Sequence, residues 1–135
     1  MASKHNKPYE MIIHEKYFGT YTMSADHKNR VSIPSNIEKT LVHLNSKDES
    51  TNDPEAVILH LKGSEIRCYD ENYYKKLEDK VNHSLIYSSR IDLARRILIP
   101  SELIERYPLS KSVTVSASKD GSYFTIISSD GWRRK

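Results

Sequence analysis

Two short stretches of this chain hold the residue types from which an anion-gripping device can be built. Asp26-His27-Lys28-Asn29-Arg30 and Asp92-Leu93-Ala94-Arg95-Arg96 each set a carboxylate four residues ahead of an arginine. A guanidinium is a planar fork of donors that suits phosphate oxygens and the acceptor edge of a base in a groove. The aspartate suits a different task, accepting backbone N–H groups across a turn and so fixing the loop that presents the arginine. In the first stretch His27 and Lys28 add donors at the tip, and in the second Arg95 stands beside Arg96. A plainer reading competes: Asp26 and Arg30 pair across their own turn, a contact worth little at a solvated surface. Charge alone favours that plainer reading, so the case for anion binding rests on what surrounds the loops.

Three residues separate Asp26 from Arg30, a loop length that asks for a left-handed residue near its end, and Asn29 is a common substitute for glycine there. Arg30 then opens a strand in which Val31 and Ile33 face the core, which turns Arg30 outward. Ahead of the loop, the Thr-rich and aromatic run from Tyr17 to Ala25 reads as a strand, and Pro34 stops the ladder behind it, so the expected unit is a hairpin. Ser35-Asn36-Ile37-Glu38 offers a capping box, and Ile37, Leu41 and Leu44 follow at helical spacing. Asn45 to Glu55 holds no apolar residue and reads as a surface loop. Ala56 to Leu61 and Glu65 to Tyr69 form a second hairpin around Gly63-Ser64. Tyr74, Leu77 and Val81 then mark one face of a helix that Asp70 or Asn72 can cap.

From there the pattern restarts. Asp26 to Ser35 returns as Asp92 to Ser101, displaced by 66 residues and with five identities in ten positions. At the same displacement Tyr21 meets Tyr87 and Ile37 meets Leu103, and further on Gly63-Ser64 matches Gly121-Ser122, with Ile66 and Cys68 answering Phe124 and Ile126. Each copy is thus strand, loop, strand, helix, hairpin, and Tyr74 falls opposite Trp132. A unit of this size cannot bury enough apolar surface alone. The expected architecture is α+β, mostly β: an N-terminal arm at 1–16, a first half at 17–82 and a second at 83–135. The halves should interlock about a pseudo-twofold axis into one barrel-like domain with a shared core and both polar loops on one side.

The 135 residues carry 29% charged and 37% hydrophobic side chains and a net charge of +3, which fits a folded chain with an acidic partner but falls far short of a histone-like binder. Cys68 has no cysteine to pair with and reads as a small hydrophobe in a strand, which implies a reducing compartment. No apolar run is long enough to span a membrane and the first residues are polar, so the expected location is the cytoplasm. The six histidines lack metal-ligand spacing and are expected at the surface; no metal or cofactor is expected. An enzyme has one concrete form here, a pyruvoyl enzyme matured by cleavage at a Gly-Ser bond, against which Gly63-Ser64 and Gly121-Ser122 read as ordinary turns. The expectation is therefore that the chain is not an enzyme. A third possibility is an antitoxin-like adaptor whose arm, with Tyr9 and Met11 to Ile13, folds onto a protein partner.

Asp-x-Lys-Asn-Arg-Val-x-Ile-Pro behind Tyr17-Phe18-Gly19, its second copy at Asp92 to Pro100, and the near-terminal Trp132 resemble the MraZ family, bacterial transcriptional regulators with two AbrB-like swapped-hairpin halves. The resemblance implies sequence-specific binding to double-stranded DNA through Arg30 and Arg96, with His27, Lys28 and Arg95 assisting and Asp26, Asn29 and Asp92 shaping the loops. It also implies a nucleoid-associated homo-oligomer, ring-shaped, whose hairpins meet tandem operator repeats and gain avidity from weak contacts. The chain departs from the family where the loop glycine is Asn29 in one copy and Arg95 in the other. Because arginine adopts the left-handed conformation less readily, the second loop is expected to differ in shape. Relative to the family, the stretch from Tyr74 to Asp92 is short, an arm is added in front, and no helix is expected after Trp132.

Overall fold

The computed structural model describes residues 15–47, 53–77 and 85–129. Most of the arm, Val81 and Trp132 lie outside them. The chain runs β1 (Thr20–Ser24), β2 (Arg30–Ser32), α1 (Ser35–Ser46), β3 (Ala56–Lys62), β4 (Glu65–Tyr69), α2 (Glu71–Leu77), β5 (Ile86–Arg90), β6 (Arg96–Leu98), α3 (Ser101–Arg106), β7 (Ser112–Ala117) and β8 (Phe124–Ser128). It is an α+β fold, mostly β, with antiparallel pairing throughout.

Six strands form one sheet in the order β1-β7-β8-β4-β3-β5, and β2 and β6 form a separate two-stranded ribbon. The sheet ends on β1 and β5, so the expected barrel does not close. The expected hairpin between β1 and β2 is also revised. These strands touch only at the loop, through the Ala25–Val31 bridge and the Asp26 N–H to Arg30 carbonyl bond of 3.0 Å. Beyond it they part: β1 runs along β7, and β2 along β6. The second copy does the same, β5 running along β3. At the centres of the β2–β6 and β4–β8 ladders the repeat meets itself, Val31 opposite Ile97 and Arg67 opposite Thr125.

Alternation explains the layers. Val57, Leu59, Ile66, Cys68, Val113, Val115, Phe124 and Ile126 come from one face of the sheet, and Val31, Ile33, Ile97 and Ile99 from one face of the ribbon. Ile37 and Leu41 of α1 and Leu103 of α3 join them in a single core. Cys68 is a fully buried free thiol there, as its apolar surroundings in the sequence suggest.

Both longer connections into helices use proline instead of the capping box expected at Ser35–Glu38. Pro34 is the extended residue before α1, its carbonyl accepts from Glu38 N at 3.0 Å, and no side chain caps the helix. Pro100 repeats this before α3. At α2 the expected cap forms: Asp70 Oδ2 accepts from Tyr73 N at 3.0 Å. Helix α2 nevertheless buries none of its residues, so Tyr74 and Leu77 do not form a core face. Asn45 belongs to α1, not to the following loop, and it is buried. Its amide donates to the carbonyls of Pro54 and Ala56 and accepts from Glu71 N, tying α1 to β3 and α2.

Gly63-Ser64 closes the two-residue turn between β3 and β4 with Gly63 at φ 62°, and Gly121 adopts φ 77° in the longer turn before β8. Both are conformations that a hairpin turn asks of glycine. The histidines are not all at the surface: His60 is buried in β3, its Nδ1 2.8 Å from the Tyr69 hydroxyl, and burial lowers its pKa. Among the described residues no helix is long and apolar enough to cross a membrane, and no group of three metal-ligating side chains gathers.

Candidate nucleic-acid interface

The two loops are built alike, contact by contact. Asn29 N donates to the Asp26 carbonyl and Arg95 N to the Asp92 carbonyl, each at 3.0 Å. Asp26 Oδ1 accepts from Lys28 N and Arg30 N, both at 2.9 Å, and Asp92 Oδ1 accepts from Ala94 N and Arg96 N at the same distances. The second carboxylate oxygen takes Nε of the arginine, at 2.7 Å from Arg30 and 3.0 Å from Arg96. Asn29 sits at φ 63° and Arg95 at φ 59°. The expectation that the second loop differs in shape is therefore wrong: Arg95 accepts the left-handed conformation.

What holds Arg95 there is visible in the ladder. Its carbonyl accepts from Ile33 N across the ribbon at 2.8 Å, and the Asn29 carbonyl accepts from Ile99 N at 2.9 Å. Each left-handed residue thus extends the β2–β6 ladder by one bond, and the loops sit at the two ends of the same ribbon. A buried ladder bond outweighs the roughly 1–2 kcal/mol that a side chain costs in this conformation only with the help of the surrounding turn, and the aspartate supplies it.

Electrostatics follow from this geometry. Hydrogen bonds from the Arg30 backbone, then from its side chain and from Lys28 N, lower the Asp26 carboxyl to about 2. At Asp92 burial pushes the carboxyl up, but the bonds from Arg96 and Ala94 outweigh it and the net shift is downward. Both carboxylates therefore stay ionised and keep their arginines oriented. Each arginine spends only Nε on its aspartate, leaving both Nη nitrogens without a hydrogen-bond acceptor among the described residues.

The ribbon register places those guanidinium groups together. Arg30 lies opposite Leu98 and Ser32 opposite Arg96. With Val31 and Ile97 inward and fully buried, these four residues share the outward face. The two arginines are diagonal neighbours, about 7–8 Å apart at the backbone. His27, Lys28 and Arg95 are exposed around them. The structure thus brings Arg30, Arg95 and Arg96 onto one ribbon, with Lys28 and His27 at one tip.

Sequence reasoning missed the apolar members. Leu93 is 99% exposed at the second tip and Leu98 is 52% exposed on the ribbon face. At the displacement of 66 residues they replace His27 and Ser32. Alternation alone puts Leu98 on the face of Arg96, a signal present in the sequence.

No protein-family profile matches the chain. It is 29% identical over 127 residues to the transcriptional regulator MraZ of Ureaplasma urealyticum serovar 10, with 77% of each chain covered. It is 27% identical over 123 residues to the transcriptional regulator MraZ of Ureaplasma parvum serovar 3, again covering 77% of both. Two Asp-x-x-x-Arg loops of matching geometry thus stand in a chain that is similar along most of its length to these MraZ transcriptional regulators.

Proposed function

We propose that this chain is a sequence-specific, DNA-binding transcriptional regulator and not an enzyme, acting in the cytoplasm on the nucleoid. In this reading residues 17–82 and 83–135 are AbrB-like swapped-hairpin halves interlocked about a pseudo-twofold axis. The crossed pairing of β1 with β7 and of β5 with β3 supports it. So do the self-matched centres of the β2–β6 and β4–β8 ladders.

One observation carries the functional reading. Arg30 and Arg96 are each locked through Nε by an ionised aspartate, sit diagonally on one outward ribbon, and keep both Nη nitrogens open for an acceptor. An arginine meant only to close its turn has no need of a second, identically presented copy beside it. Guanidinium groups held in advance lose less freedom on meeting phosphate oxygens or guanine edges. Lys28, His27 and Arg95 add backbone contacts. One such surface is small, so useful affinity comes from a homo-oligomer, a ring in this reading, meeting tandem operator repeats.

The test is fluorescence anisotropy on a duplex of tandem repeats and on a scrambled duplex, at two salt concentrations, with wild type and Arg30→Ala/Arg96→Ala. Wild type should bind with a steep salt slope. The double variant should keep its oligomeric state, lose at least about tenfold in affinity and show a slope shallower by about two. Equal weak binding by both proteins would make the arginines turn-stabilising residues and move the protein-adaptor reading ahead.

A further inference from the structure

The two loops share one backbone and differ in chemistry. Where the first presents His27, Lys28 and, on the ribbon, Ser32, the second presents Leu93, Ala94 and Leu98. Among the described residues only Phe18, Leu93 and Leu98 are large exposed hydrophobics, so two of the three lie on this one surface. A leucine 99% exposed on a loop that is rigid through five hydrogen bonds has no packing role in the chain itself.

We infer that Leu93 and Leu98 are specificity residues that read thymine 5-methyl groups in the major groove, while the His27-Lys28 tip supplies polar and phosphate contacts. This rests on the DNA-binding reading and deepens it. A thymine methyl is the one apolar feature the major groove displays, and it is recognised by apolar side chains. The surroundings select this occupant over an apolar protein surface. Leu98 lies directly opposite Arg30 and two residues from Arg96, and Leu93 is two residues from Arg95. A protein partner covering the leucines has to desolvate those cations, whereas a duplex supplies phosphates to them as the leucines enter the groove. Because the tips are unlike, one chain reads two unlike subsites, and its preferred sequence is a directional element.

The experiment starts from a duplex enriched out of a random pool by the wild-type protein, resynthesised with deoxyuridine in place of every thymidine. That change removes the methyl groups and leaves phosphates and base pairing intact. Wild type should weaken about fourfold for each methyl contacted. Leu93→Ser/Leu98→Ser should weaken by a similar factor on the thymidine duplex and be indifferent to deoxyuridine, with an unchanged sedimentation coefficient. Both positions are exposed, so the variant folds. The inference is overturned if deoxyuridine costs wild type nothing or if the serine variant stays as sensitive as wild type. A variant that changes sedimentation and not methyl sensitivity overturns it in favour of contact between copies of the chain. A pool that yields no bound duplex overturns the DNA-binding reading itself, and this inference with it.

Discussion

Asp26 and Arg95 concentrate what single residues contribute. The Asp26 carboxyl is lowered from 3.8 to about 2, so its contribution to the loop is complete above its ordinary value and is lost as the pH falls towards 2. A carboxyl-detected NMR titration should find it still ionised at pH 3, where exposed aspartates are mostly protonated. Arg95→Gly pulls two properties in opposite directions. Relief of the φ 59° conformation should stabilise the fold by about 0.5–1 kcal/mol in urea unfolding. Loss of the exposed guanidinium should weaken DNA binding several-fold at low salt. The roles of Asp26 and Asn29 were legible in the sequence, because carboxylate and asparagine preferences in a three-residue loop are local physics. That Arg95 takes the same conformation was not legible, since the bond compensating it comes from Ile33, on another strand.

At the level of the elements, the sequence named the strands well and their partners poorly. Alternation reports which face of a strand is buried but not which neighbour runs beside it, so a strand, loop, strand pattern reads as a hairpin even where the loop alone is shared. The ribbon that replaces that hairpin has a single inward row, and its centre is the Val31–Ile97 pair, both fully buried. Ile97→Ala should therefore cost about 2–5 kcal/mol in chemical unfolding, by lost burial and the cavity left behind. Turns separate in the same way. An added Cβ at Gly121 meets the Tyr17 carbonyl at 2.8 Å, whereas at Gly63 it meets nothing within 4 Å. Gly121→Ala should lower the melting temperature more than Gly63→Ala, in which only the positive φ is penalised.

For the molecule as a whole, the internal repeat was the most informative signal in the sequence, because matched segments at a fixed displacement imply matched structures. Sequence reasoning overreached at closure: a sheet ending on β1 and β5 is open at both sides. The proposed halves should not fold apart. Peptides 17–82 and 83–135 each leave edge strands without partners, and circular dichroism should show native strand content only when the two are mixed. The same crossed pairing sets a timetable for the living cell. Thr20 pairs with Ser116, 96 residues further along, so β1 leaves the ribosome long before β7 has been translated. Every nascent copy passes through an interval in which its first strand is exposed and unpaired, dependent on chaperones or on rapid completion of synthesis to avoid pairing with a neighbour.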